Sequence, residues 1–316
     1  MKTPLLKIEN LTKTFKVGKQ KLTAVSNLNL YINKGETLGL VGESGCGKST
    51  VGRTLLKLLE PTSGRIIFDD IDLATLNRHE LKKMRRRMQI VFQDPYASLN
   101  PRMTVQDIVG EPLDIHRLAH GKERKQRIEQ MLSLVGLSPS HMGRFPHEFS
   151  GGQRQRIGIA RALCINPEFL VCDEPISALD VSVQAQVINL LKHLQQKMKL
   201  TYLFIAHDLS VIKYISDRVA VMYLGELMEL APSEMLYKDP LHPYTQALLS
   251  AIPIPDPEIE RKKTRVVLKG ELPNPLCPPS GCPFSSRCPK ATKQCTETRP
   301  LWREVKAGHF AACHLL

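Results

Sequence analysis

A glycine-rich segment at residues 42–50 has the residue types that bind phosphate. It reads G-E-S-G-C-G-K-S-T and satisfies the pattern G-x-x-x-x-G-K-[ST]. Glycines let the backbone fold closely around an anion, Lys48 would reach the β- and γ-phosphates, and Ser49 would offer its hydroxyl to Mg²⁺. The segment therefore predicts a nucleotide site made of Gly42, Glu43, Ser44, Gly45, Cys46, Gly47, Lys48, Ser49 and Thr50.

The flanking residues predict that this loop joins a strand to a helix. Residues 36–42 are short and apolar like a buried strand, and residues 49–60 carry apolar side chains at helical spacing. A helix N-terminus presents unpaired N–H groups and the positive end of the helix dipole, which favours an anion. The same position can lower the pKa of a thiol, so Cys46 fits either a reactive thiol or a small residue with no special reactivity.

A second helix start of this kind lies at Ser150, Gly151, Gly152 and Gln153. Ser150 and Gln153 form a capping-box pattern, and the apolar residues that follow fit a helix. Capping does not call for two consecutive glycines, whereas close approach of a phosphate to the backbone does. A second cradle in one chain suggests a nucleotide shared between two subunits.

Three further polar positions follow predicted buried strands. Residues 169–174 read F-L-V-C-D-E, in which Asp173 would hold Mg²⁺ and Glu174 would polarise the water that attacks the γ-phosphate. Gln93 and His207 end two other apolar runs, at the edge where open α/β sheets bind ligands. Gln93 could touch the metal or the attacking water, although both residues also fit solvated positions at strand ends.

The remaining pattern predicts an α/β core with two additions. Residues 5–15 alternate loosely and precede a turn, which suggests an antiparallel ribbon that ends at Phe15. Phe15 fits either stacking on adenine or packing within its strand. Residues 94–149 carry several prolines between helical segments such as 122–135, and predict a small helical insertion.

Composition limits the class of protein and its partners. The net charge of +13 favours an anionic partner such as nucleotide, lipid headgroups or nucleic acid. Aromatic residues make up only 5% and do not interleave with basic ones, which argues against a platform for single-stranded nucleic acid. We expect a cytosolic chain, because no apolar run approaches the roughly 18 residues of a membrane span and residues 1–10 lack the apolar core of a signal peptide.

Five cysteines crowd the last forty residues: Cys277, Cys282, Cys288, Cys295 and Cys313. A cytosolic chain would not hold them as stable disulfides, so a metal is the first expectation. The last four are separated by five, six and seventeen residues, whereas zinc ribbons use pairs two residues apart. Since thiolates can hold an iron-sulfur cluster from well-separated loops, this wide spacing favours such a cluster over Zn²⁺, which stays the second choice.

Taken together, the motifs resemble the ATP-binding subunits of ABC transporters, over essentially the whole chain. The resemblance implies an α/β fold of the P-loop NTPase (RecA-like) type, with an antiparallel β ribbon, a helical insertion subdomain at about residues 95–150 and a small cysteine-rich C-terminal extension. Residues 1–255 would form the nucleotide-binding domain and residues 256–316 the extension. ATP and Mg²⁺ are the implied ligands.

By this resemblance each motif takes a role. Glu174 is similar to the general base, His207 to the residue that holds the γ-phosphate and base in register, and Gln93 to the loop that senses the transmembrane subunits and the metal. Ser150 to Gln153 would contact ATP bound by the opposite subunit, and Asp180 would lie in the dimer-contact loop. Phe15 matches the adenine-stacking aromatic.

The segment L-H-P-Y-T-Q-A-L-L-S-A-I-P at residues 241–253 and the cysteine tail resemble the peptide-permease branch of that family, whose tail cysteines are associated with an iron-sulfur cluster. The resemblance implies a 4Fe-4S cluster on Cys282, Cys288, Cys295 and Cys313, with Cys277 or His314 as substitute ligands and Zn²⁺ as the alternative metal. This implies the ATP-hydrolysing motor of an oligopeptide or dipeptide importer, with nickel or another small solute as an alternative cargo. A soluble, non-transport ABC ATPase is the remaining alternative.

The resemblance also implies partners and a location. The expected partners are a second ATPase subunit, preferably a paralogue, two transmembrane permease subunits and, indirectly, an extracytoplasmic solute-binding protein, with no nucleic acid. The chain would then be a peripheral protein on the cytoplasmic face of the membrane.

Overall fold

A computed structural model describes residues 3–253 and 270–316 and, between them, residues 256, 258, 261 and 268. These residues fall into two compact units. The first unit consists mainly of Asp72–Ile205 together with Ile32–Glu36, and the second of Leu6–Tyr31, Thr37–Ile71 and Ala206–Leu316. Residue 255, at the predicted boundary between domain and extension, lies outside the described residues.

Strands and helices are numbered here in chain order. The strands are β1 Pro4–Val17, β2 Gln20–Asn33, β3 Thr37–Val41, β4 Ser63–Phe68, β5 Ile71–Asp72, β6 Met88–Val91, β7 Phe169–Asp173, β8 Thr201–Ile205, β9 Arg218–Tyr223, β10 Glu226–Pro232, β11 Trp302–Lys306 and β12 His309–Ala312. The α-helices are α1 Lys48–Leu55, α2 Arg78–Arg87, α3 Val105–His116, α4 Gly121–Leu134, α5 Gly151–Leu163, α6 Val181–Met198, α7 Leu209–Ile215, α8 Ser233–Lys238, α9 Pro243–Ser250 and α10 Lys293–Glu297. Within the described ranges, no helix is both long and apolar enough to cross a membrane.

Three parallel strands organise the first unit. β7 pairs with β6 on one side and with β8 on the other. Every residue of β7 and β8 is buried, as expected for parallel strands that are covered on both faces. Since the strands run in the same direction, the residues that follow β6 and β7 lie at the same edge of the sheet.

The predicted helical insertion contains α3, α4 and two short 3₁₀-helices, Pro139–Gly143 and Pro146–Glu148. Pro112 lies inside α3, rather than between helices as the sequence suggested. α3 packs against α4 and α5. Arg124 of α4 also donates two hydrogen bonds of 2.8 Å to the carboxylate of Asp114 in α3.

The second unit contains two sets of strands. β2, β1, β4 and β5 are neighbours in that order, with β1 antiparallel to β4. In the other set β3 is parallel to β9, β9 antiparallel to β10, and β10 antiparallel to β12, which pairs with β11. The hairpin of β11 and β12 in the C-terminal tail therefore extends the sheet of this unit.

Helix α1 is shorter than its apolar pattern predicts, because Lys57 adopts a left-handed conformation with φ of 52°. Lys57 N donates to Thr54 O, and Leu58 N donates to Arg53 O at 3.0 Å. This pair of bonds is a Schellman motif, which satisfies the last carbonyls and ends the helix. Leu58, predicted on the apolar face, is consequently 47% exposed.

A buried carboxylate joins three elements of the second unit. Glu229 of β10 is fully buried and accepts hydrogen bonds from the backbone N–H groups of Leu241 and His242, which precede α9. His309 Nε2 of β12 lies 2.7 Å from Glu229 Oε1. Burial lowers the pKa of His242 to about 4, and its Nδ1 accepts a hydrogen bond from Tyr244 N at the start of α9.

We expect Glu229→Ala to lower the thermal unfolding midpoint by about 4 °C or more, because it leaves buried N–H groups without an acceptor. The control is Glu226→Gln on the same strand, whose ion pair with Arg299 is partly exposed and should matter by about 1 kcal/mol or less. Calorimetry of both variants measures the difference. Equal midpoints for the two would contradict the role of Glu229.

Candidate functional site

The predicted phosphate loop lies in the second unit, between β3 and α1. Lys48 is only 4% exposed, although it carries a charge. Its Nζ donates hydrogen bonds to Gly42 O at 2.8 Å and to Glu43 O at 3.0 Å. The ammonium group therefore points back into the loop, where carbonyl oxygens replace part of its hydration.

Two glycines of this loop are required by its backbone path. Gly42 and Gly47 have φ of 152° and 104°, and a Cβ atom on either would lie 2.1 Å from a backbone oxygen, of Met222 and of Ala24 respectively. Gly47 also precedes α1 without giving it a side-chain cap. A tightly folded glycine loop, an uncapped helix start and a buried ammonium fit a phosphate group.

The first alternative for Cys46, a reactive thiol with a lowered pKa, is wrong. The side chain is 4% exposed, and this burial raises the pKa, an effect that outweighs the opposing charge of Lys48. The nearby helix start does not compensate, because it cannot replace the hydration that a thiolate loses. Cys46 is therefore a protonated, poorly reactive thiol in the phosphate loop.

Glu43, the second residue of the loop, is tied to the C-terminal part of the chain. Its carboxylate forms two hydrogen bonds with the guanidinium of Arg287, at 2.7 and 3.0 Å. This pairing raises the pKa of Arg287 above its usual range. Glu43 N also donates to the hydroxyl of Tyr244 at 3.0 Å. Sequence reasoning missed both contacts, because no local pattern relates residues 244 or 201 positions apart.

In the first unit, the structure brings Gln93 and Glu174 together. Gln93 Nε2 donates to Glu174 Oε2 at 2.8 Å, although the two are 81 residues apart. Glu174 has φ of 47°, in the left-handed region that few non-glycine residues occupy. Its N–H donates to Ile205 O, and its carbonyl accepts from both the N–H and the hydroxyl of Ser177.

The other predicted positions around β7 and its neighbours differ in burial. Asp173 is the last residue of β7 and is 1% exposed, so its carboxylate lies within the sheet edge. Asp180 is exposed and precedes α6. In the second unit, His207 is exposed after β8, and Phe15 is half-buried with Lys13 Nζ 5.0 Å from its ring centroid.

The glycine-containing helix start at residues 150–153 forms the capping box that its sequence predicts. Ser150 Oγ accepts from Gln153 N, and Gln153 Oε1 accepts from Ser150 N at 3.0 Å. The second glycine has a packing reason that the sequence did not reveal, since a Cβ atom on Gly152 would lie 2.3 Å from Val183 Cγ1. Two glycines here are thus explained in part by contact with α6.

The expected iron-sulfur cluster on Cys282, Cys288, Cys295 and Cys313 is wrong. Among the described residues, which include these four and Cys277, no group of three or more His, Cys, Asp or Glu side chains is placed to hold a metal ion. Zn²⁺, the second choice, fails for the same reason.

Burial shifts the titration of these thiols. It raises the pKa of Cys282 to about 11 and also raises the pKa values of Cys288 and Cys313, and the charges of neighbouring tail cysteines add to each rise. The backbones of two of these residues are hydrogen-bonded to each other, since Cys282 N donates to Cys295 O at 2.8 Å.

Two protein-family models match different parts of the chain. The model of the ABC transporter family matches residues 25–177. The model of the oligopeptide/dipeptide transporter C-terminal region matches residues 228–295.

Several curated proteins resemble the chain over nearly its whole length. The oligopeptide transport ATP-binding protein AppF of Bacillus subtilis (strain 168) is 56% identical over 301 residues, covering 95% of this chain and 91% of AppF. The oligopeptide transport ATP-binding protein OppF of the same organism is 53% identical over 316 residues, covering 99% of this chain and 97% of OppF.

Among solved structures, the chain is similar to the ATP-binding cassette MJ0796, in a dimeric structure of a post-hydrolysis state bound to ADP and Pi. The TM-score is 0.67 and the sequence identity 34%, over 72% of this chain and 98% of the cassette. The chain is also similar to cbiO1 of Clostridium perfringens, with a TM-score of 0.66 and 28% identity over 75% of this chain and 91% of cbiO1.

We expect a maleimide to label Cys277 well before Cys46 in the native protein, because Cys277 is exposed whereas Cys46 is buried with a raised pKa. Timed labelling followed by peptide mass spectrometry measures the order, and denatured protein serves as the control in which both react. Labelling of Cys46 as fast as Cys277 in folded protein would refute the assignment of a shielded thiol.

Proposed function

This chain belongs to the ABC transporter family, and we propose that the phosphate loop at residues 42–50 binds ATP and that Gln93, Asp173 and Glu174 take part in hydrolysing it, which drives peptide import. It is an ATPase coupled to transport and the motor subunit of a peptide importer. The observation that carries the ATPase assignment is the buried Lys48 ammonium, held by carbonyls inside a glycine loop at a helix start.

Nucleotide binding is assigned to the phosphate loop. Lys48 would exchange its bonds to loop carbonyls for the β- and γ-phosphates, since a charged acceptor forms a stronger hydrogen bond than a carbonyl does. Residues 42–50 would surround the phosphates with backbone N–H groups. Phe15 would stack on the adenine, which requires the Lys13 ammonium to share or leave that ring face.

Hydrolysis is assigned to the polar edge of the first unit. Glu174 would accept the proton of the attacking water, and the 2.8 Å bond from Gln93 fixes the orientation of its carboxylate. Ser49, Gln93 and Asp173 would hold Mg²⁺, which when bound neutralises phosphate charge. His207 would contact the γ-phosphate.

A second ATPase subunit completes this proposal. Ser150, Gly151, Gly152 and Gln153 would contact nucleotide bound by that subunit, and Asp180 would lie at the contact between the two. The cassette MJ0796, to which this chain is similar, is described as dimeric, which supports the arrangement. We favour a paralogue as the partner.

An importer motor also requires membrane subunits. We infer two transmembrane permease subunits, contacted near Gln93 on the cytoplasmic face of the membrane, and an extracytoplasmic solute-binding protein that supplies the peptide. Residues 1–255 would act as the nucleotide-binding domain, with the helical subdomain at about 95–150, and residues 256–316 as the extension. No nucleic acid partner is proposed.

Glu174→Gln should bind MgATP nearly normally but hydrolyse it at least about a hundredfold more slowly, because it removes the base and leaves Lys48 in place. The matched control is Glu168→Gln, at the opposite end of β7, whose carboxylate pairs with Arg87. Nucleotide titration and phosphate release measure the two effects. Turnover by Glu174→Gln equal to that of the control would remove Glu174 from this role.

The complex purified from its native membrane should contain this chain, one ATPase paralogue and two permease subunits. Native mass spectrometry of the detergent-solubilised complex gives its subunit composition. Lys48→Ala protein, which should assemble normally, is the control for any loss of subunits that depends on nucleotide binding. Two copies of this chain without a paralogue would overturn the heterodimer.

A further inference from the structure

The C-terminal tail contacts the phosphate loop through a partly shielded ion pair. The side chains of Arg287 and Glu43 are 11% and 28% exposed, and two hydrogen bonds join the two guanidinium NH₂ groups to the two carboxylate oxygens. Two-point pairs between a guanidinium and a carboxylate fix direction as well as distance. The Arg299–Glu226 pair, made by the same tail, is more exposed on its arginine side, at 41%, and does not involve the loop.

The position of Arg287 is set by a buried aromatic cluster. Arg287 N donates to Phe284 O at 3.1 Å, and Phe284 is 1% exposed. The Phe284 ring packs against Tyr223 and Tyr244, with centroids 5.4 and 5.2 Å apart. Because close-packed aromatic rings resist displacement, the guanidinium is presented to the loop from a rigid base.

Glu43 is held at three points, and one of them involves Lys48. Its N–H donates to the Tyr244 hydroxyl, its carboxylate pairs with Arg287, and its carbonyl accepts from Lys48 Nζ. The first two contacts come from α9 and the tail. Helix α9, inside the predicted ATPase domain, and the tail beyond that domain therefore together fix Glu43, to whose carbonyl the phosphate-binding lysine donates one of its hydrogen bonds.

We propose that Arg287 is a positioning residue of the phosphate loop, through which the C-terminal tail sets the affinity for nucleotide. This inference rests on the proposed function. A carboxylate in a loop that binds a polyanion repels it unless the charge is paired. Arg287 cancels the charge of Glu43 and holds the carboxylate toward the tail, so that the loop presents N–H groups and Lys48 to the phosphates.

The test uses the full chain and five variants. They are Arg287→Gln, which leaves Glu43 unpaired; Arg287→Lys, which keeps the charge; the double variant Glu43→Gln with Arg287→Gln; Arg299→Gln, the matched control; and Lys48→Ala, which calibrates loss of phosphate binding. Titration gives the Kd for MgATP, steady-state assays give kcat and KM, and calorimetry gives the unfolding midpoint.

Arg287→Gln should raise the Kd and the KM for MgATP about fivefold or more while kcat at saturating MgATP changes by less than about twofold. Arg287→Lys should recover part of the affinity. The double variant should bind more tightly than Arg287→Gln, because removing the unpaired carboxylate removes the repulsion. Arg299→Gln should stay within about twofold of the unmodified protein.

A Kd for Arg287→Gln equal to that of Arg299→Gln, or a double variant that binds no better than Arg287→Gln, would overturn the inference. If Arg287→Gln unfolds at a lower temperature than Arg299→Gln, Arg287→Lys is compared with Arg299→Gln in its place. Failure of Arg287→Lys to recover affinity for MgATP would also overturn the inference. Unaltered MgATP binding by Lys48→Ala would instead refute the proposed function itself.

Discussion

The second unit depends on how a buried positive charge is accommodated. Lys48 has an ammonium group almost without solvent, and a cation in that position must be surrounded by oxygen atoms. The loop provides them as the carbonyls of Gly42 and Glu43, and its backbone passes close to the chain at Met222 and Ala24. That close passage excludes any side chain at Gly42 and Gly47. Pairing of β3 with β9 in turn brings Met222 next to the loop.

Much of this arrangement could be predicted from the sequence, because its signals are local. The phosphate loop, the strand before Asp173 and the capping box of α5 each depend on residues within a few positions of one another. The end of α1 was not predictable, since the left-handed turn at Lys57 competes with a continuing apolar pattern. Membership of the ABC transporter family and of its peptide branch was confirmed by the comparisons.

The errors came from properties that spacing does not encode. The wide, unequal spacing of the tail cysteines suggested a cluster, but the side chains of the described residues form no group that could hold a metal ion. The sign of the pKa shift at Cys46 was wrong because desolvation exceeded the effect of a neighbouring cation and a helix start. The pairing of Glu43 with Arg287 joins residues 244 positions apart, and only the fold reveals it. The left-handed backbone conformation of Glu174 also could not be predicted from the residue types of its motif.

The hairpin of β11 and β12 also determines which strand lies at the exposed edge of the sheet. Without β11 and β12, the buried strand β10 would present unpaired N–H and C=O groups along an apolar edge, and such an edge recruits strands from other molecules. With the hairpin in place, the strand at this border is β11 among the residues that the structure describes, and it carries Arg303, Glu304 and Lys306. Charged side chains on a border strand discourage pairing with another copy. The tail thus gives the molecule a border that resists aggregation, and chains shortened before residue 300 would be expected to self-associate through β10.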